Sequence, residues 1–502
     1  MAEGPNSQEQ GAVAGDSMVA KRQQVGAYRQ LNLFEALISR NHGASGKGGT
    51  GAGACEERQT FTALNEGRAL EKNLMERICE PTNLNRAYKR VKANKGSPGV
   101  DGLSVHELVD WIETHKDALI ASLLDGSYRP QTVKRVEIPK PGGGVRQLGI
   151  PTVVDRLVQQ AILQVLTPLI DPTFSESCFG FRPGRGAHDA LRQASQHVAE
   201  GHTIVVDCDL EKFFDRVNHD VLMARLAYRI GDKRLLGIIR GFLEAGIMAD
   251  GVCVRRQEGT PQGGPLSPIL ANLLLDDLDK ELERRGHRFC RYADDCNIYV
   301  RTITAGKRVM ASISGYLEKR LRLRVNRAKS AVAHVSERKF LGYRLHNEGR
   351  LLISPQSVER AKRRIREITR RNRPMSFEER VKKLNEFLTG WVAYYRMAEG
   401  QTKLTRMDRW IRRKLRCVRL KQCKRAHTMA RFLMDSGVPE WNSWILALSG
   451  GGWWGKSRYP QANHAMSNEW FNEQGLVSLT KRYLELKSYG NRRGTEQVCP
   501  VV

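Results

Sequence analysis

An α+β chain with an antiparallel sheet is predicted by three observations. Tyr292-Ala293-Asp294-Asp295 sits between two strand-like runs, as the tip of a hairpin. Thr203-Ile204-Val205-Val206-Asp207-Cys208-Asp209-Leu210 is β-branched and apolar, so it reads as a buried strand ending in acid. Beyond residue 350 the apolar residues recur at helical spacing, so a helical region follows the strand-bearing part.

In the hairpin, Phe289, Arg291 and Ala293 alternate with Cys290 and Tyr292 on the way in, and Ile298, Tyr299 and Val300 resume a strand on the way out. A tight turn would project both carboxylates from a rigid sheet into a cleft, where metal-assisted phosphoryl chemistry needs them. A solvated acidic turn is the alternative. The strand at 203–210 adds a second acidic site, since Asp207 and Asp209 share a face at a period of two. Buried carboxylates need cations, which Lys or Arg could provide. Two such strands in one chain favour a metal site. A helical segment is expected after Glu211-Lys212-Phe213-Phe214-Asp215, running through Leu222. Between the acidic strands lies a loop, Gly259 to Pro268, before the apolar helix Ile269 to Leu275. Its glycines let backbone approach a ligand, and Pro268 suits a helix start.

In this order the motifs resemble those of the reverse transcriptases encoded by bacterial group II introns, the intron maturases, from roughly Glu66 to Leu486. Motif A resembles Asp209-Leu-Glu-Lys-Phe-Phe214, motif B Thr260-Pro-Gln-Gly-Gly-Pro-Leu-Ser267 and motif C Tyr292-Ala-Asp-Asp295. Motif D resembles Val325-Asn-Arg-Ala-Lys329-Ser330, and the primer grip Lys339-Phe-Leu-Gly-Tyr343. Upstream motifs are Val136 to Pro151 and Phe179-Gly-Phe-Arg182-Pro-Gly-Arg185. The resemblance implies a right-hand polymerase with an antiparallel palm sheet, helical fingers elements and an α-helical thumb/maturase domain. It also implies fingers and palm over 61–350, thumb over 351–424 and a basic DNA-binding domain over 425–502.

The same resemblance assigns residue roles. Asp209 lies five residues before the aromatic Phe214, whereas Asp207 would point to Lys212. Asp209, Asp294 and Asp295 are therefore the expected catalytic carboxylates, holding two Mg²⁺ ions about 3.5–4 Å apart; Asp295 can alternatively support Asp294. Magnesium suits carboxylate and phosphate oxygens. Phe214 would be the steric gate against a ribose 2′-OH, with one of Phe213 and Phe214 belonging to the core. Lys140 and Arg146 flank a glycine turn and could reach the triphosphate. Gln262 would sit against the incoming nucleotide, and Lys329 could protonate pyrophosphate. Arg182 and Arg185 are assigned to the template/primer.

Composition agrees: 82 Lys+Arg against 54 Asp+Glu give a formal net charge of +28, which calls for a polyanion partner. No apolar run approaches the ~18–20 residues of a spanning helix and no signal-peptide pattern opens the chain, so no membrane partner is expected. Ten cysteines without a C-x-x-C pair argue for free thiols in a reducing compartment, hence a cytoplasmic location, and against a zinc module. Residues 1–60 form a Gly/Ser-rich segment that cannot bury enough apolar surface to order. Within it Tyr28, Leu31, Phe34, Leu37 and Ile38 have helical spacing, and order is expected from near Phe61. Lys89 to Gly96 resembles the family's extension that grips template RNA.

Towards the C-terminus, Arg360, Lys362, Arg363, Arg364, Arg366, Arg370 and Arg371 share a predicted helix whose apolar stripe is Val358, Ala361, Ile365 and Ile368. Pro374 is its expected stop. Seven cations with almost no acids favour a phosphate track, with Lys362, Arg363 and Arg366 on the template/primer. Ser376-Phe-Glu-Glu379 has capping-box form for a second helix with Val381, Leu384, Phe387, Leu388 and Trp391 at helical spacing. Asn385 to Tyr395 resembles the maturase signature. Trp441, Trp444, Trp453 and Trp454 suit base stacking or core packing, and Trp453-Trp454-Gly-Lys456-Ser resembles the family's DNA-binding segment. Past Cys423 only Cys499 remains, so the resemblance is to the endonuclease-lacking subclass. The implied function is RNA-directed DNA synthesis that serves splicing and retrohoming of the encoding group II intron. The implied partners are the intron RNA, a DNA target and dNTPs. The rivals are a splicing chaperone with an inactive polymerase site and a domesticated or CRISPR-associated reverse transcriptase.

Overall fold

The computed structural model describes residues 73–139, 145–249, 252–254, 258–260 and 263–496. The Gly/Ser-rich segment 1–60, its apolar island, the expected start near Phe61, and Lys140 and Gln262 lie outside these residues. So does the Arg146 side chain, although its backbone pairs with Ile138.

Among the described residues three sheets form. The first contains β1 (Val133–Pro139), β2 (Val145–Ile150), β4 (Ile247–Ala249) and β5 (Val252–Val254), in the order β2-β1-β4-β5. The second is the palm sheet, built from β3 (Ile204–Cys208), β6 (Arg288–Tyr292), β7 (Asp295–Val300) and β8 (Ala331–His334). Its order is β6-β7-β3-β8, all antiparallel. Both of its faces are buried, which is why β3 is so continuously apolar. Ile204, Val206, Cys208, Phe289 and Ile298 join the core formed with the N-terminal helices. Val205, Cys290 and Tyr299, one residue out of phase, join the core formed with the C-terminal helices. The helix Ile303–Tyr316 lies so close on the first face that a Cβ at Gly306 would come within 2.5 Å of Val332. On the second face the helix Ala187–Ala199 contributes Ala190, Leu191, Ala194 and Val198.

The motif A segment departs from expectation. Lys212 adopts a left-handed φ of +47°, residues Phe213–Asp215 form one tight 3-10 turn, and the helix spans His219–Arg229. Asn218 is its N-cap, with the side chain accepting from the Val221 amide at 3.0 Å. Another correction concerns apolar length. Val153–Thr173 is 21 residues at a mean hydropathy of 1.2, long and apolar enough to cross a bilayer by length and composition. Two-thirds of that stretch is buried in the protein, where its Gln164 amide donates to Asn83.

The C-terminal part is helical, preceded by the hairpin β9 (Tyr343–Leu345) and β10 (Leu351–Ile353). The expected helix is Pro355–Ile368, burying Ala361, Ile365 and Ile368 as its stripe requires. It ends before Arg370 and Arg371, not at Pro374. The carbonyls at and just beyond its end are taken up by Arg380, a buried side chain of the next helix that donates to Ile368, Arg370 and Arg373 oxygens. That next helix, Phe377–Tyr394, starts at Ser376, whose hydroxyl accepts from the Glu379 amide at 3.1 Å. Residues on both sides of 424, such as Leu415, Leu420, Met429 and Leu433, share one core, so the expected boundary coincides with no gap in packing.

Candidate active site

The acidic hairpin forms as the residues dictate. Tyr292 pairs with Asp295, leaving Ala293 and Asp294 as the two loop residues, and Ala293 takes a φ of +59°. A non-glycine residue there is strained, so something must hold it. Two devices do so, and neither was evident in the sequence. Arg291 is fully buried and donates to both Asp279 oxygens (2.7 and 2.5 Å), Asn272 Oδ1 (3.0 Å) and the Ala293 carbonyl (2.9 Å). Gly180 lies against the turn from outside, where a Cβ would be 2.2 Å from the Ala293 nitrogen. The Asn272 amide donates to the Gly180 carbonyl at 2.8 Å, so one side chain braces both segments.

Motif A lies on the neighbouring strand. Asp207 and Asp209 differ in their surroundings. Arg338 donates to Asp207 Oδ2 from Nε and Nη2 at 2.9 and 2.5 Å, so Asp207 is the ion-paired acid. Asp209 is held by its backbone: its amide donates to Ser330 Oγ (2.9 Å) and its carbonyl accepts from the Asn326 amide (2.8 Å). Lys329 Nζ lies 3.5 Å from Asp209 Oδ2, an ion-pair distance without hydrogen-bond geometry. Asp209 Oδ2 is thus a buried carboxylate oxygen without a hydrogen bond.

The electrostatics fit a divalent cation. Burial, then the charges of Asp207, Asp294 and Asp209, push the Asp295 carboxyl up to about 7. An orphaned Asp209 oxygen beside mutually repelling carboxylates is what a cation would relieve. Among the described residues no group of three or more His, Cys, Asp or Glu side chains is placed to hold a metal ion by itself. Magnesium-type ions are held by one or two carboxylates, with water and substrate phosphate completing the shell, so the acids present fit.

The motif B loop packs beside this site by close backbone contact. Gly259 has φ +91° and a Cβ there would lie 2.9 Å from the Asp215 oxygen, while the Thr260 amide donates to the Phe214 carbonyl at 2.7 Å. Gly263, at φ +134°, approaches the Gly149 oxygen of β2. Phe213 is the core aromatic and Phe214 is half-buried, edge-on to it at 5.1 Å. Helix Ser267–Arg284 then begins with Pro268 in its first turn.

Several expected nucleic-acid contacts lie elsewhere. Arg182 is 7% exposed and all five of its N–H groups are engaged by Asp171, Ser175 and Cys178. It is a clamp on its own loop, not a template ligand. Arg185 is more open but pairs with Glu176. Arg366 pairs with Glu359 at 2.6 Å and lies over Trp410, and Arg364 pairs with Glu367, so this helix is less purely cationic than expected. Lys362 is half-buried and Arg363 exposed on its surface. A denser run of cations was not singled out in the sequence. Helix Gln401–Gln422 has nine Lys or Arg and one acid, Asp408, whose carboxylate instead accepts from the Leu479 and Thr480 amides opening the last helix. Arg413 lies 3.7 Å from the Trp454 ring and Lys414 4.9 Å. Lys456 is buried and donates to the Ala447 carbonyl, so it is no phosphate contact.

The primer-grip segment meets the maturase signature directly. Tyr343 donates to the Tyr394 carbonyl, Tyr394 donates to the Leu341 carbonyl at 2.8 Å, and a Cβ on Gly342 would come within 2.6 Å of the Tyr395 hydroxyl. These contacts couple the end of the helix Phe377–Tyr394 to the β9–β10 hairpin.

Residues 138–345 match the family model described as reverse transcriptase (RNA-dependent DNA polymerase), and residues 358–435 the group II intron maturase-specific domain. The fold and site are therefore those of a right-hand RNA-directed DNA polymerase. Protein YkfC of Escherichia coli (strain K12) is 32% identical over 327 residues, 57% of this chain and 86% of that one. The group II intron-encoded protein LtrA of Lactococcus lactis subsp. cremoris is 36% identical over 195 residues, 39% of this chain and 32% of LtrA. The telomerase of Candida albicans overlays at a TM-score of 0.40 and 14% identity, covering 78% of this chain and 69% of that one. The chain belongs to the group II intron reverse transcriptase/maturase family. RNA-directed DNA polymerisation and splicing assistance are the activities its two domains support, with RNA as partner and divalent metal ions in general use.

Proposed function

We propose that this chain binds the group II intron RNA that encodes it, assists its splicing and reverse-transcribes it during retrohoming. Mg²⁺ is the proposed metal, dNTPs the substrates and a DNA target the further partner. The observation that carries the reading is the acid cluster at the end of the palm sheet. Asp207 is held by two bonds from Arg338, while Asp209 Oδ2 has no hydrogen bond and only the Lys329 ammonium at 3.5 Å, and Asp295 is buried among like charges. Mg²⁺ held by Asp209 and Asp294, with Asp295 binding or supporting, would supply charge neutralisation for the attacking 3′-oxygen and for pyrophosphate. Phe214 would close the space beside the sugar, and Lys329, exposed at the site edge, would give a proton to the leaving group. Phosphate contacts are assigned to Lys362, Arg363 and the helix Gln401–Gln422.

The proposed division is fingers and palm to residue 350, thumb to 424, and a basic DNA-binding region beyond. A cytoplasmic location is supported by the free thiols of the described cysteines. The test is cDNA synthesis by the purified chain on primed RNA, with and without chelator, run beside splicing of the surrounding intron RNA at low Mg²⁺. Metal-dependent cDNA and accelerated splicing are expected. Splicing without cDNA would identify a chaperone, and neither activity would refute the proposal.

A further inference from the structure

We propose that Arg338 is a positioning residue for nucleotide addition, through a guanidinium that ties the strand carrying Asp209 to the segment carrying Lys329. Its Nε and Nη2 donate to Asp207 Oδ2, and Nη2 also donates to the Lys329 carbonyl at 2.6 Å. Asp207 lies on β3, fixed between Asn297 and Ala331 in the ladder, and Asp209 follows two residues later, just past the end of the strand. Lys329 lies within the turn whose Asn326 amide and Ser330 hydroxyl hold the Asp209 backbone. One side chain from outside both motifs therefore sets the spacing of a metal-binding carboxylate and a proton-donating ammonium. It also has a second effect. By engaging Asp207 it keeps a fourth carboxylate from competing for cations beside Asp209, Asp294 and Asp295. A lysine ammonium placed where Nη2 lies could reach both acceptors, but it would lose the second bond to Asp207 that Nε supplies and with it the planar geometry that fixes the side chain.

The inference rests on the reading of Asp209 as a metal ligand. It is tested with Arg338→Ala, Arg338→Lys, Asp207→Asn and the Arg338→Ala/Asp207→Asn double variant. In single-nucleotide addition on primed RNA, Arg338→Ala should lower kcat about 10- to 100-fold while template–primer Kd and KM for dNTP stay within about twofold. Arg338→Lys should recover part of the rate. The double variant should be no slower than the slower single variant, because both remove one interaction. In metal-free protein, amide exchange at Asn326, Lys329 and Ser330 should quicken about tenfold in Arg338→Ala without general loss of protection. An unchanged kcat, additive single effects, or a rate loss that merely tracks template–primer affinity or Tm would overturn the proposal. If Asp209→Ala still made cDNA, the metal reading would fail, yet the exchange and coupling results would still decide the role of Arg338 separately.

Discussion

Replacing Gly180 by Ala tests how tightly the acidic turn, the proposed catalytic one, is built. The new Cβ would lie 2.2 Å from the Ala293 nitrogen, 2.9 Å from the Tyr292 carbonyl carbon and 3.1 Å from Ala293 Cα, all backbone atoms. Real Cβ contacts stay beyond about 3.0 Å, so one segment must retreat by about 0.8 Å (3.0 − 2.2). Gly180 cannot yield freely. Its carbonyl accepts from Asn272, and the Phe179 amide donates to the Arg291 carbonyl at 2.9 Å. The turn must therefore move, carrying Asp294 and Asp295 with it. A misplacement of about 1 Å costs on the order of a hundredfold in rate, while overpacking costs about 1–3 kcal/mol of stability. The assay is rapid-mixing addition of one dNTP to a primed RNA, with template–primer affinity and thermal unfolding measured in parallel. A rate about a hundredfold lower at nearly unchanged affinity is expected. A folded Gly180→Ala protein with wild-type rate would refute the idea that this contact fixes the turn.

Three further outcomes are expected. Phe214→Ala should admit ribonucleotides, seen as a collapse of dNTP-over-rNTP selectivity in primer extension; retained selectivity would remove Phe214 as the gate. Lys362→Ala with Arg363→Ala should flatten the salt dependence of template–primer binding by about 0.7–0.9 log units for each phosphate no longer neutralised, whereas an unaltered slope would mean both are merely solvated. Arg380→Met should lower Tm by several degrees without changing the salt slope, because buried helix-end carbonyls lose their donor at about 1–3 kcal/mol per unmet group. An unchanged Tm would mean another donor or water serves those carbonyls.

The local patterns of β3, the acidic hairpin and the two thumb helices were readable because each depends on a period of two or 3.6 within one segment. That one of Phe213 and Phe214 belongs to the core was readable too, since adjacent aromatics at a strand exit cannot both face inward; which one it is came from the structure. What escaped depends on pairing between distant segments. Arg291 looks like any strand arginine until the fold brings Asp279 beneath it. Arg182 resembled a ligand because its loop partners carry no motif. The Pro355–Ile368 helix ended early because Arg380, twelve residues beyond Ile368, supplies its cap. Motif D and Arg338 converge on Asp209 only through the sheet, which no local spacing encodes.

If Asp294 and Asp295 serve chemistry while dispersed cations serve binding, the two roles must separate in one protein. Asp294→Ala combined with Asp295→Ala puts this to the test, measured as cDNA synthesis on primed RNA beside intron RNA binding and splicing at low Mg²⁺. Loss of such electrostatic stabilisation costs on the order of a hundredfold or more in rate, whereas removing two negative charges leaves phosphate attraction intact or slightly stronger. Synthesis should be abolished while RNA binding and splicing persist. Continued synthesis by the folded double variant would contradict the metal assignment, and loss of binding with synthesis would contradict the separation of the two roles.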